Sequence, residues 1–316
     1  MKKIALLFAA LLLCIPAVAK RKVPKRPRIL GIAGVTILAS DITETRKFYL
    51  KLIDPDHSCE YCAAAPSPFL FLPSGQRIKF EKAPVPPPAN LLAEVSFLTD
   101  DLEGFKKYFN FNKVDFDQVK KKRGGELIRL LLTDHEGHHI SITDSYHLAN
   151  AEDVNAGLPP ANPSNPVRII HAGFVVNNRE AIDRFYVYEL GFRPYWHGGM
   201  TDDRDDWVAM QVPEGTDWVE YMLNISPTAD KHTLGVMNHI SLGVPDIHTI
   251  NDELAKAGVK PAEVPKIGRD GKWQLNLYDA DQTRIEFMEF TPKQRPCCSG
   301  FTGPHPGSQP PSQARP

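Results

Sequence analysis

Ile169–Phe192 reads IIHAGFVVNNREAIDRFYVYELGF, and the change of period along it decides the fold. From Ile169 to Val176 the residues alternate as in a strand, whose successive side chains face opposite sides of a sheet. Ile170, Ala172, Phe174 and Val176 form one apolar face, expected to lie under helices, and His171 beside Gly173 belongs to the other. Asn178 then stands where a helix needs a side-chain acceptor for its first free N–H groups, and Phe185 falls on the buried side of that helix. The same order recurs at Ile32–Tyr49, IAGVTILASDITETRKFY, with Asp41 as the cap and Phe48 in the place of Phe185.

Each half repeats the strand-helix pattern once more, at Ala93–Phe109 (AEVSFLTDDLEGFKKYF) and at Asn238–Gly258 (NHISLGVPDIHTINDELAKAG). In the latter, Asp246 is the expected cap, Ile247, Ile250 and Leu254 the apolar stripe, and Gly258 the stop. Short alternating segments follow each helix: FLFL, RIKFE, LIRLLL and HHISIT in the first half, and WVAMQV, DWVEYML, WQLNLYD and TRIEFMEF in the second. The pattern predicts an α+β protein of four βαβββ modules, paired into two domains with curved, mostly antiparallel sheets. The domains are expected at 29–154 and 167–290, joined by a Pro- and Asn-rich linker at 155–166 and followed by a Pro-, Gly- and Ser-rich disordered tail at 291–316.

The first 19 residues carry Lys2 and Lys3, an apolar run from Ile4 to Ile15, and Ala17-Val18-Ala19. That order is expected of a secretory signal peptide, with a basic flexible leader at 20–28 behind it and a periplasmic or extracellular destination. Stable membrane insertion after cleavage is not expected. Net charge is -1 for the chain and -3 without Lys2 and Lys3, which excludes global attraction to nucleic acid. After cleavage four cysteines remain, Cys59, Cys62, Cys297 and Cys298, and an oxidising compartment favours disulfides. Bridging is expected over a C-x-x-C redox or zinc site; the three pairings stay open, a bridge from the first domain to the tail among them.

Alternation also singles out four polar side chains. His171 and His239 each point away from an apolar strand face, beside residues that leave space: Gly173 for one, Ser241 and Gly243 for the other. Glu220 opposes Val219 and Tyr221, and Glu286 opposes Ile285 and Phe287. The histidines are 68 residues apart and the glutamates 66, so each module of this half offers one imidazole and one carboxylate. Two modules related by a pseudo-twofold would bring these onto one sheet face as an N₂O₂ site for a divalent ion: zinc, nickel, iron, manganese or cobalt.

FYVYELGF (Phe185–Phe192), NHISLGVPD (Asn238–Asp246) and YDADQTRIEFMEF (Tyr278–Phe290) resemble signatures of the glyoxalase/bleomycin-resistance/dioxygenase, or vicinal-oxygen-chelate, superfamily. Ala280 and Gln282 depart from the Pro and Gly of the family's closing hairpin. The resemblance covers about 120 residues and implies two tandem vicinal-oxygen-chelate domains, the second holding a divalent metal on His171, Glu220, His239 and Glu286, as glyoxalase I does. It implies a lyase or isomerase that works on a small oxygen-chelating substrate through a metal-stabilised enediolate, with Glu220 or Glu286 as the base. Two alternatives stay open: an extradiol-type dioxygenase using His171, His239 and Glu286, and a non-catalytic small-molecule-binding protein. Export argues against a substrate conjugated to cytoplasmic glutathione. A monomer or homodimer is expected. In the first half the corresponding positions are Gly34, about Lys79, Glu94 and about Ser141, so its ligands are lost. The histidine-rich TDHEGHH (Thr133–His139) is read as a hairpin turn, and Trp196, Arg204 and Trp207 as loop or packing residues.

Overall fold

The computed structural model describes residues 23–55, 62, 68–120, 125, 127–144 and 167–308. The expected signal peptide at 1–19 and linker at 155–166 lie outside the described residues. No helix among those described is long and apolar enough to cross a membrane.

The strands form two curved mixed sheets, with helices packed on them. The first has the order β2-β3-β1-β4-β7-β6-β5, and the second β13-β14-β15-β12-β8-β11-β10-β9. In chain order the first sheet is built from β1 (Gly31–Ala39), α1 (Ile42–Ile53), β2 (Phe69–Phe71), β3 (Arg77–Lys82), β4 (Leu92–Thr99), α2 (Leu102–Asn112), β5 (Asp117–Lys120), β6 (Leu127–Thr133) and β7 (His139–Asp144). The second comprises β8 (Arg168–Val175), α3 (Arg179–Asp183), β9 (Arg193–Gly198), β10 (Trp207–Gln211), β11 (Trp218–Met222), α4 (Lys231–Met237), β12 (His239–Val244), α5 (Ile247–Lys256), β13 (Lys266–Ile267), β14 (Trp273–Tyr278) and β15 (Arg284–Glu289). Two antiparallel central strands in each sheet, β1 with β4 and β8 with β12, are each flanked by a parallel partner.

The helix starts follow the anticipated chemistry. Asp41, Asp101, Asn178 and Asp246 each accept from a backbone N–H in the first turn of their helix. Ile247, Ile250 and Leu254 are buried, and Gly258 takes a positive φ of 75° just past the end of α5. After Asp183 the chain widens into a π turn over Arg184–Glu189, where Leu190 N–H bonds Phe185 O at 3.0 Å, five residues back. TDHEGHH is a hairpin between β6 and β7: Asp134 accepts from the backbone of Glu136 and His138 and from the His138 ring.

One apolar core runs beneath both sheets, and Phe97 of the first meets Phe192 of the second edge-on at 5.2 Å. Between the sheets Gln76 acts as a buried clamp. Its amide donates to the carbonyls of Ile32 and Ile169 at 2.8 Å each, and its oxygen accepts from Ile169 N–H at 2.7 Å. Gln76, Ile32 and Ile169 are all buried, which leaves no water to substitute for these bonds.

Four expectations change. Residues 23–28 of the leader are held to the body: Arg26 pairs with Glu214 at 2.5 Å and Arg28 with Asp100. Residues 291–308 of the tail pack against the body, because the sheet offers donors that its carbonyls satisfy. Arg168, fully buried, donates to Gly307 O at 2.8 Å, and Gln211 donates to Pro304 O at 2.8 Å. The bridge from the first domain to the tail does not form. Cys297 bonds its neighbour Cys298, which takes a φ of 68°, and Cys62 is separately disulfide-bonded. Finally, Ile170 leaves the helix-covered face. His171 pairs with Ser241 and Ile169 with Leu242, so Ile170 is the extra residue of a β-bulge. It joins Tyr195, Trp218, Met288 and Phe290 on the opposite face, while Ile169 enters the core.

Candidate metal centre

The four side chains singled out by alternation come from the four inner strands of the second sheet: β8, β11, β12 and β15. The register brings them together. Gly173 lies opposite both His239 on β12 and Glu220 on β11, and Ser241 lies opposite both His171 on β8 and Glu286 on β15. Two small residues thus sit where the imidazoles need room. A methyl group on Gly173 would stand 2.1 Å from Cε1 of His239.

His171 and His239 are wholly buried and Glu286 nearly so, whereas the Glu220 carboxylate keeps 14% exposure toward a cavity of about 340 Å³. The two imidazole Nε2 atoms are 3.1 Å apart. Glu220 Oε2 is 3.5 Å from the Nε2 of His239 and 3.8 Å from that of His171, and Glu286 Oε2 is 3.3 Å from His171 Nε2. Donors held about 2.0–2.2 Å from a common ion stand roughly 3–3.5 Å from each other. The spacing therefore fits a first-row divalent ion: His171, Glu220 and His239 each bring a ligand atom within 4.8 Å of the other two, and Glu286 reaches His171 from the side. The tautomer fits as well. His239 Nδ1 donates to Met237 O at 3.0 Å, which leaves the lone pair on Nε2, the atom that faces His171 and Glu220.

The two carboxylates are pushed apart electrostatically. Burial raises the Glu220 pKa, Glu286 raises it further, and His171 opposes both. Burial also works against charge on Glu286, but its hydrogen bond with His171 and the nearby Arg284 leave its pKa below the usual value. Burial, Arg284 and His171 together hold His239 neutral, well below the ordinary imidazole range.

Residues 168–287 match the model of the Glyoxalase/Bleomycin resistance protein/Dioxygenase superfamily. The second domain belongs to this superfamily. Across both sheets the chain has the fold of solved vicinal-oxygen-chelate enzymes. A homoprotocatechuate 2,3-dioxygenase variant from Brevibacterium fuscum superposes with a TM-score of 0.58 at 16% identity, covering 90% of this chain and 75% of that one. The enzyme of the same name from Arthrobacter globiformis gives 0.56 at 15% identity, covering 84% and 80%. No curated protein matches in sequence.

The equivalent place in the first sheet is filled by other chemistry. Thr36 lies opposite Glu94 and Lys79, and Ser96 opposite Gly34 and Ser141. These registers put Gly34, Lys79, Glu94 and Ser141 where the second domain has His171, Glu220, His239 and Glu286. Glu94 there accepts from Ser96, Ser141 and Arg129 at 2.7–3.0 Å, so its carboxylate is already satisfied by protein donors.

Several residues of the site escaped the sequence. Arg284 precedes Glu286 by two on the same strand and enters the cavity with it. Period-2 alternation places it there, but arginine on a strand has no metal-ligand signature to draw notice. Trp196 and Trp207, read as loop or packing residues, line the cavity with Trp218, whereas Arg204 pairs with Asp206 of its own loop. Buried Asp270 is raised to about 6 by desolvation and lines the same wall.

Proposed function

We propose that the second domain is a one-ion enzyme of glyoxalase-like type, acting on a small substrate that presents two neighbouring oxygens. The observation that carries this is the cluster of His171, His239 and Glu220 with donor atoms 3.1–3.8 Å apart, joined by Glu286 at 3.3 Å from His171, with both carboxylates lining a cavity walled by tryptophans. His171, His239, Glu220 and Glu286 would hold the ion. When bound, a divalent ion polarises adjacent substrate oxygens and so acidifies the C–H between them.

The chain's own groups divide the remaining work. Glu286, ionised through its bond to His171, is the fixed carboxylate. Glu220 faces the cavity with a raised pKa, so it is the group suited to accept the substrate's carbon-bound proton and return it to the next carbon. Export, expected from Lys2 to Ala19, remains part of the proposal and favours a substrate free of glutathione.

A dioxygenase is the second reading, favoured by the names of the solved neighbours. It needs Glu220 to withdraw, yet the Glu220 carboxylate lies close to both imidazoles.

The test is metal content together with solvent-proton exchange. Protein purified without added metal is expected to carry about one equivalent, absent from His171→Ala/His239→Ala. With phenylglyoxal or a simple α-hydroxy ketone in D₂O, Glu220→Gln should retain the ion while losing at least a hundredfold in C–H exchange. Glu286→Gln should lose the ion itself. Oxygen uptake with catechols at wild-type level in Glu220→Gln would instead establish the dioxygenase.

A further inference from the structure

Arg284 occupies a position that bears on how an ion enters this site. Its Nη2 lies 2.7 Å from Nε2 of His239. Because the Nδ1–H of that ring is committed to Met237 O, Nε2 carries the lone pair and the guanidinium donates into it. His171 Nε2 lies 3.1 Å from the same atom. The lone pair that would bind an ion is thus already bound to an arginine.

Arg284 has few other attachments. Its Nε is buried without a hydrogen-bond partner, and it makes no ion pair of 4.0 Å or less among the described residues. The other two cations on the cavity wall are engaged: Lys266 with Glu263 at 2.7 Å, and Arg269 with Asp202 and Gly199 O. A guanidinium offers five donors in a planar fork matched to a carboxylate or enolate oxygen. Arg284 is the cavity cation with donors to spare.

We propose that Arg284 alternates between two partners, occupying the His239 lone pair until an ion claims it and then turning into the cavity to receive an anionic oxygen of the substrate. Ion and anion binding are then coupled. An anion in the cavity draws Arg284 off His239 and frees the lone pair, so it tightens the ion, and by reciprocity the ion tightens the anion. The inference rests on the reading that His171, Glu220, His239 and Glu286 hold the ion.

The experiment titrates Co(II) into metal-free wild type and Arg284→Met, followed by its visible absorption, in chloride and in acetate buffer of equal ionic strength. Long-range ¹H–¹⁵N NMR reports the state of His239 Nε2. Arg284→Gln is the second variant should the first fail to fold. Expected are a tenfold or greater gain in Co(II) affinity on removing Arg284, a changed Nε2 shift in the metal-free variant, and an acetate-dependent gain in affinity of at least threefold in wild type alone. Equal or weaker binding by both variants, or an unmoved Nε2 shift, overturns the competition. A wild type indifferent to acetate overturns the second position. Co(II) bound by none of the proteins overturns the metal site itself, and the proposal with it.

Discussion

At the scale of the residue, the site depends as much on what is missing from Gly173 as on its four polar groups. Gly173 pairs with His239 on one side and Glu220 on the other, and the imidazole of His239 lies where a side chain at 173 would begin. Both neighbours are anchored by strand hydrogen bonds, so an added methyl must move the ring rather than the backbone. Gly173→Ala is expected to fold, to lose roughly 1–3 kcal/mol through overpacking, and to bind Co(II) or Zn(II) at least tenfold more weakly. Calorimetric titration beside a thermal melt checks both. Wild-type affinity in the alanine variant would mean that His239 is not needed in this position. The alternation of His239 with Ile240, and of Glu286 with Ile285, could be read from sequence because a strand has only two faces and one was apolar. Ile170 could not. Its bulge is a property of pairing with β12, and nothing local in IIHAG distinguishes a continuous strand from one with an inserted residue.

At the scale of the element, legibility follows periodicity. Helices α1, α2 and α5 each present a buried face and an acidic cap, both of which leave a mark in the sequence. The tail has neither. Its residues 291–308 are fixed by isolated bonds from distant strands, such as Arg168 to Gly307 O, and composition alone made them look like a disordered end. Phe301 of this strap, with Trp218 and Tyr195, covers the ammonium of Lys272, which is wholly buried and has no hydrogen-bond partner among the described residues. Burial brings its pKa down from 10.5 to about 8, against the pull of Asp270, Glu286 and Glu220. Below pH 8 the lysine is charged in both folded and unfolded chains, and the full cost of burying that charge is present. Between pH 8 and 10.5 the unfolded chain binds the proton more tightly, so this cost fades as pH rises. Lys272→Met should therefore be more stable than wild type at pH 7, by roughly 1–3 kcal/mol once Asp270 has lost its counter-ion. The gap should close toward pH 10 in denaturant melts of the metal-free proteins. A variant less stable at pH 7 would show instead that attraction between the ammonium and the three rings outweighs its desolvation.

At the scale of the whole molecule, the first sheet has its candidate position filled by the Glu94, Ser96, Ser141 and Arg129 network, which leaves it a supporting part. The support has a definite point of contact. Gln76, on the approach to β3, bonds both backbone groups of Ile169, two residues before His171 and at the bulge itself. Removing its amide would strand a buried N–H and a buried carbonyl on β8 and another carbonyl on β1, each costing about 1–3 kcal/mol if left unpaired. Gln76→Ala should consequently lose several kcal/mol, and it should loosen β8 where the first ligand is carried. Because one core runs under both sheets, wild type is expected to unfold in a single transition that shifts upward as a whole with Zn(II). At an ion concentration 100 times Kd the gain is about 2.7 kcal/mol. In Gln76→Ala the transition should split, with Zn(II) raising the second component alone and binding more weakly than in wild type. Scanning calorimetry with and without the ion separates these outcomes. A single transition and unchanged ion affinity in the variant would mean that the apolar contact of Phe97 with Phe192 suffices to couple the sheets, and that the first half has no hold on the geometry of the second.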